Sequence, residues 1–339
     1  MNKERILFIL KFRQGYDDKP QYSNGKYFSS GLYWSAKFVS DMLAESGITT
    51  KLVQVIDNND IDREVAQFKP TIVIIEALWI VPEKFDILKK LHPTVQWIVR
   101  LHSNLPFLAQ EGIACKWIKG YAARGVRIAA NEWQAVKDVS IVAGTAVIYL
   151  PNYYPLQTAI ATPSTNGRLN VACYGAVRPL KNQLLQAVAA IRYADQQDLT
   201  LNFYINSARV EAGGNAILEN IQSLFVGTPH MLIQNKWMPR EELLKSLATI
   251  DLGMQVSLSE TFSIVAADMV NVGIPVVVSN EVRWANELSK VKTTDIDSIL
   301  DGMQRVLFFK TIGIFLNRHG LSAFDKNSKK VWLEFIDEQ

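Results

Sequence analysis

The sequence predicts an α/β fold of two Rossmann-like halves, each a parallel sheet covered by helices. Three observations lead there. Short apolar runs of strand length alternate along the chain with longer stretches of helical periodicity, the pattern of parallel strands buried on both faces. At 339 residues, 48% hydrophobic and 20% charged, the chain is long enough for two cores and too apolar for disorder. A polar break after Leu150, ending in Thr162-Pro163-Ser164-Thr165-Asn166-Gly167, separates two such series and reads as an inter-domain linker.

In the first half the expected strands are Arg5 to Phe12, Thr50 to Val55, Thr71 to Glu76, Gln96 to Leu101, Arg127 to Ala130 and Ala146 to Leu150. The helix between the first two runs from Gly31 to Ser46. Its apolar residues Ala36, Val39, Met42 and Leu43 recur at helical spacing, and Gly47 ends it. In the second half the expected strands are Leu169 to Tyr174, Leu199 to Ile205, Met231 to Ile233, Leu252 to Val256 and Pro275 to Ser279. The helices are Asn182 to Tyr193, Ala216 to Leu224, Arg240 to Ala248 and Thr261 to Val272. The domains expected are residues 1–152 and 168–320, and two such halves would face a cleft at the carboxyl ends of their strands. The amphipathic stretch Ser328 to Ile336 lies in a C-terminal helix expected over 322–339.

Composition excludes several classes. Two cysteines, Cys115 and Cys173, make neither a disulfide framework nor a zinc site and fit a reducing, cytoplasmic compartment. The apolar run Ile6 to Leu10 is too short for a signal peptide. Ile72 to Val81, interrupted by Glu76, is about half of the roughly 20 residues that span a bilayer, so integral membrane association is not expected. Net charge is +3, unevenly placed: residues 1–150 carry 19 Lys/Arg and 15 Asp/Glu, the remainder 17 and 18. That excess lacks the basic stripe of a nucleic-acid-binding protein and reads first as a solvated surface, with an anionic partner of the first half as the second reading.

Chemistry concentrates in two segments of the second half. Ser257 to Ser279 reads as a strand exit, a helix opening at Glu260 or Thr261 and closing at Gly273, and a buried strand. Backbone N–H groups of Thr261, Phe262 and Ser263 at a helix start would favour an anion such as a diphosphate. On that helix Glu260 and Asp268 would lie about 80° apart in azimuth and roughly 12 Å apart along the axis. The second segment, Val171 to Asn182, is a strand followed by a loop bearing Gly175, Arg178 and Lys181. Arg offers a planar fork to phosphate oxygens and Lys a mobile point charge.

With these segments in place, the chain resembles the GT-B-fold glycosyltransferases of the retaining family 4 type. The matching parts run in order along most of the chain: Ser30-Gly31-Leu32 as the glycine-containing loop before the first long helix, Ala44 to Thr49 before the second strand, Val99-Arg100-Leu101-His102 as a strand ending in His, and Leu150-Pro151-Asn152 at the inter-domain crossing. They continue with Gly175 to Lys181, Trp237 to Leu243, and the acidic pair Glu260 and Asp268. The resemblance implies a nucleotide-sugar donor held by the second domain and an acceptor received by the first. It implies Arg178 and Lys181 on the donor diphosphate, Glu260 and His102 near the donor sugar, Asp268 on the ribose, and Trp237 and Met238 beside the base. The Thr261–Ser263 amides would help to hold sugar and phosphate. It also implies that the C-terminal helix returns to the first domain. Departures are Asp268 in place of the usual Glu, a single glycine in the first loop, and Tyr153-Tyr154 after Pro-Asn.

Other candidates read as structural. Asp60-Ile61-Asp62 and Asp295-Ile296-Asp297 precede helical patterns and suit helix N-termini, so no metal is expected. His92, His230 and His319 fall in loops. No GxGxxG or Walker loop is present, and nothing resembles a Ser-His-Asp arrangement in a nucleophile elbow. The long aromatic loop Gln14 to Tyr27, with Tyr16, Tyr22 and Tyr27, is a candidate to shape the acceptor site.

The expected function is therefore metal-independent, cofactor-free transfer of a sugar from a nucleoside diphosphate, with retention. The acceptor is a glycan, a lipid-linked sugar or a metabolite. A nucleic acid is left open by the basic first half and by a likeness to glycosyltransferase-like proteins of phage genomes. A nucleotide-sugar epimerase of the same fold and a non-catalytic two-lobed sugar-binding protein are the rivals.

Overall fold

The computed structural model describes residues 4–12, 31–162 and 167–339. Within them two units separate: one holds the residues up to Pro155 together with Phe324–Gln339, the other Leu156–Ala323. Ser30, the loop of residues 14–27 and residues 163–166 of the expected linker lie outside the described residues.

The first unit is a six-stranded sheet of β1 (Arg5–Lys11), β2 (Thr49–Val55), β3 (Ile72–Glu76), β4 (Gln96–Leu101), β5 (Arg127–Ala130) and β6 (Ile148–Tyr149), in the order β2-β1-β3-β4-β5-β6 with every pair parallel. Alternate residues feed two cores. Leu7, Ile9, Val73, Ile75 and Val99 pack under Ile61, Phe85, Ile118 and Val139. Ile6, Phe8, Ile72, Ile74 and Ile98 pack on the other face with Val39, Met42 and Leu43 of α1 (Gly31–Glu45). Burial on both faces is why β1, β3 and β4 read as largely apolar runs, whereas β2 at the sheet edge is only partly buried.

The second face also takes Trp332, Phe335 and Ile336, which lie on a helix running from Lys310 to Asp337. That helix begins well before residue 322. Gly320 does not break it: a Cβ there would overlap the Trp284 carbonyl, so the glycine serves a close approach of backbone. Among the described residues no helix is long and apolar enough to cross a membrane.

The second unit repeats the design with β7 (Leu169–Val177), β8 (Leu201–Val210), β9 (Met231–Asn235), β10 (Leu252–Gln255), β11 (Val276–Ser279) and β12 (Lys290–Val291), in the order β12-β11-β10-β7-β8-β9, all parallel. From β7 the chain builds outward through β8 and β9, then returns to build the other way from β10. The reversal puts a topological switch point between β7 and β10, and ligands bind outside the carboxyl ends of such strands. Past Ala172 the β7–β8 register shifts, Ala176 pairing with Asn206 and Val177 with Val210. The bulge lets both strands run further than their apolar runs suggested and re-aims the exit of β7.

Candidate active site

Gly175 opens the site at φ +120°, a conformation that side-chain-bearing residues rarely adopt, and its N–H donates to Asn206 Oδ1 at 3.0 Å. After Val177 the chain passes through Arg178 and one 3₁₀ turn, Pro179–Lys181, then Asn182 in the left-handed region, and enters α7 (Gln183–Gln196). This exit is tied to that of β10. Leu258 N–H donates to the Leu180 carbonyl at 2.9 Å, Val256 N–H to Gln186 Oε1 at 2.9 Å, and Asn182 Nδ2 to the Val256 carbonyl at 3.2 Å. Backbone strapping of this kind fixes the two loops that carry the ionic side chains.

Lys181 Nζ donates to Glu260 Oε2 at 2.5 Å, with about a tenth of each side chain exposed. Burial alone would push the Glu260 carboxyl up, but Lys181 first and Arg178 second outweigh it, and the group stays ionised below the usual carboxylate range. Arg178 Nη1 lies 3.5 Å from Glu211 Oε2, while Arg209 donates to Glu211 Oε1 from Nη2 at 2.7 Å and from Nε at 2.9 Å. The Arg209 guanidinium in turn sits 4.6 Å from the centroid of the Trp237 ring, a cation–π distance. Trp237 and Met238 are half-buried in the loop between β9 and α9 (Arg240–Leu247).

The sequence reading missed Arg209 and Glu211, because they follow a strand that was expected to end at Ile205. The neighbouring Gly213-Gly214 was the available signal. Gly213 lies in the left-handed region, and a Cβ on Gly214 would overlap the Val177 carbonyl. Helix α8 (Gly214–Phe225) therefore starts hard against the exit of β7.

The helix expected from Glu260 or Thr261 starts later. Its first residue is Ile264 in α10 (Ile264–Val272), preceded by Ser263 at φ 61°. Phe262 is buried, and its carbonyl accepts a hydrogen bond from Trp284 Nε1 at 2.7 Å, so Thr261–Ser263 form a turn and not a helical one. The amides at this helix start are consequently those of Ile264, Val265 and Ala266, and the helical separation expected for Glu260 and Asp268 does not apply. The Ser263 hydroxyl is buried and has no hydrogen-bond partner among the described residues. Asp268, within the helix, accepts from Arg240 Nη2 at 2.6 Å.

Arg178, Lys181 and Glu260 are thus brought together, and Trp237 joins them through Arg209 and Glu211. His102 belongs to the first unit. Its Nε2 pairs with Glu76, and its Nδ1 lies 3.5 Å from Asn131 Nδ2. These partners assign the proton to Nε2, which donates to Glu76, and leave Nδ1 to accept. Burial, with Arg100 adding to it, holds the imidazole below its ordinary pKa against the pull of Glu76. Arg100, fully buried, donates to Glu76 at 3.2 Å, to the Leu150 and Pro151 carbonyls at 2.9 Å each, and to Asn152 Oδ1 at 2.7 Å. The Pro-Asn segment is therefore anchored to the ends of β3 and β4. Gly31 is the first residue of α1.

Of the set-aside candidates, Asp60 accepts from the Ile56 and Asp57 amides, Asp62 bonds His92 Nε2 at 2.7 Å, and Asp295 caps its helix by accepting from Ser298 N–H. His230 accepts from Leu201 N–H through Nδ1 and pairs with Asp195 through Nε2. His319 stacks on Phe315. Among the described residues no group of three or more His, Cys, Asp or Glu is gathered as a metal would require.

No family model matches the chain, and no curated protein matches it in sequence. Solved structures match it along its length. The chain is similar to apo OtsA, with a TM-score of 0.69 at 12% identity over 98% of this chain and 99% of that one. It is similar to a glycosyltransferase from Rickettsia africae ESF-5, with 0.65 at 12% over 100% and 99%. The third is an E. coli trehalose-6-phosphate structure bound with UDP-2-fluoro glucose, with 0.63 at 14% over 82% and 76%. With two parallel six-stranded α/β units in one chain, and likeness to these proteins over nearly its full length, the fold is that of the GT-B glycosyltransferases.

Proposed function

We propose that the chain is a glycosyltransferase whose second unit binds a nucleoside diphosphate sugar at the switch point between β7 and β10. The observation that carries the reading is the cluster of Arg178, Lys181 and Glu260 strapped to both strand exits. The buried Ser263 hydroxyl and the free amides of α10 add to it. UDP-2-fluoro glucose bound to the E. coli neighbour supports a donor of this class.

In the reaction, Arg178 and Lys181 take up the charge that builds on the departing nucleoside diphosphate, with the α10 amides contributing their partial positive charge. Lys181 is prepaired with Glu260, so its ammonium is held in place before the phosphate arrives, and Glu260 is left ionised to accept hydrogen bonds from the sugar hydroxyls. Metal is not needed in this scheme, because the cations and the helix dipole neutralise the leaving group. His102 has both ring nitrogens engaged by Glu76 and Asn131 and acts as a fixed group, not a proton carrier. The departing diphosphate stays beside the oxocarbenium-like sugar and takes the proton of the acceptor hydroxyl on the face it leaves, so attack from that same face forms the new glycosidic bond with retention. The first unit, with its basic excess, receives the acceptor, and a cytoplasmic setting fits the two unpaired cysteines.

Incubation with UDP-glucose and no acceptor, followed by product analysis, tests the reading. Slow release of UDP supports a transferase. An isomerised nucleotide sugar, or a bound donor left unconsumed with every acceptor class offered, contradicts it.

A further inference from the structure

The charge excess of the first half is not spread evenly over it. Residues 77–150 carry nine Lys/Arg and five Asp/Glu, while residues 1–76 carry ten of each. The charged stretch builds α3 (Lys84–Leu91), α5 (Ala114–Ala123) and α6 (Trp133–Ala143), whose buried residues Phe85, Ile118 and Val136 pack on the same face of the sheet. The solvent sides of the three helices therefore form one outer layer. Arg124 ties α3 to α5, pairing with Asp86 at 3.1 Å and with Glu83 at 3.7 Å, and α5 packs against α6.

Helical spacing decides what this layer presents to water. On α6, Trp133, Lys137 and Ile141 recur every four residues and share one exposed stripe. Ile141 is 82% exposed, and Trp133 is 56% exposed with one ring face stacked on Tyr149 at 4.4 Å. On α5 the exposed pair is Lys116 and Lys119, and on α3 Lys90 stands between exposed Ile87 and Leu91. Lys90, Lys116, Lys119 and Lys137 enter no ion pair among the described residues. The carboxylates of Glu83 and Asp86 are taken by Arg124, and Asp138 accepts from Gln134. Uncompensated ammonium groups are thus interleaved with aliphatic side chains and an indole.

We propose that this layer docks the first unit on an anionic lipid surface. The four lysines meet the headgroup charges, and Trp133, Ile141, Ile87 and Leu91 enter the interface, where an indole sits well. The mixture favours lipid over nucleic acid. A phosphate backbone is served by charge and by the fork of arginine, yet Arg124 is already engaged, and exposed isoleucines contribute nothing to a phosphate. A lipid interface uses both kinds of side chain, and each lysine near such a surface contributes about fivefold in affinity. The inference stands apart from the donor-site reading and requires no spanning helix.

Co-sedimentation of the full chain with phosphatidylcholine vesicles, with and without phosphatidylglycerol, tests this. Binding is expected to be at least about tenfold tighter to the vesicles with phosphatidylglycerol and to weaken as salt is raised. Lys116→Gln/Lys119→Gln/Lys137→Gln should bind about a hundredfold more weakly, and Ile141→Gln about fivefold more weakly with the salt dependence retained. Because all four side chains are exposed, thermal unfolding of both variants should match that of the unaltered protein. No binding to phosphatidylglycerol vesicles at low salt, equal binding to both vesicle types, or an unweakened triple variant overturns the proposal. Duplex DNA held by the same lysines while vesicles are not would also overturn it, and so would a dimer of the chain that Ile141→Gln breaks and that vesicles do not displace.

Discussion

Lys181 Nζ and Glu260 Oε2 stand 2.5 Å apart across the exits of β7 and β10, 79 residues apart in sequence and nearly withdrawn from water. Neither charge is stable there alone. Removing one partner of a buried pair leaves the other uncompensated, whereas replacing both by neutral groups of similar shape is tolerated.

Lys181→Ala is therefore expected to abolish transfer and also to lower stability by about 3 kcal/mol, since it strands Glu260. The double variant Lys181→Met/Glu260→Gln should regain most of that stability while staying inactive. Arg178→Ala, whose partner Glu211 is more exposed, should lose transfer with a smaller stability cost. Urea unfolding and donor turnover on the three proteins check this. A double variant no more stable than Lys181→Ala would contradict the pairing.

Gly214→Ala places a methyl group where the Val177 carbonyl lies. The start of α8 must then move away from β7, at a cost of about 1–3 kcal/mol. Because the shift falls one residue before Arg178, donor affinity should weaken as well. Gly144→Ala, where a Cβ meets nothing within 4 Å but φ is +68°, separates the two effects: it should cost stability through backbone strain and leave donor affinity unchanged.

Asp325 accepts the Tyr154 N–H at 2.8 Å within the first unit. Burial pushes its carboxyl up to about 8, against which that hydrogen bond pulls only partway. The folded state thus keeps the proton between roughly pH 4 and pH 8 while the unfolded state releases it, so stability falls as pH rises through that window. Asp325→Asn keeps the acceptor and removes the titration. Its stability advantage over the unaltered protein should grow by about 1 kcal/mol per pH unit from pH 4 to pH 8 and be flat outside it. A constant difference across that range would show that Asp325 does not titrate there.

The strands were legible because covering both faces favours apolar residues at successive positions, as at residues 72–75 and 276–278, before each strand ends in a polar residue. The cationic loop was legible from Gly175, Arg178 and Lys181 standing between a strand and a helix. What was not legible depended on residues far apart in sequence. The partnerships of Arg178 with Glu211 and of Arg240 with Asp268 arise only when β7, β8, α9 and α10 are brought together. Thr261-Phe262-Ser263 carries no helix breaker, and its departure from helix follows from the burial of Phe262 against Trp284. The C-terminal helix, expected from residue 322, starts at Lys310, and Gly320 lies inside it, placed for contact with the Trp284 backbone.

In the proposed reaction Arg178 and Lys181 hold the diphosphate of a nucleotide donor. The most direct measurement is thermal unfolding of the full chain with a panel of nucleoside diphosphates, repeated on Arg178→Ala. At a hundred times its dissociation constant, one nucleotide is expected to add about 2.7 kcal/mol to the unaltered protein and markedly less to the variant. No stabilisation by any nucleoside diphosphate, or equal stabilisation of both proteins, would contradict the account.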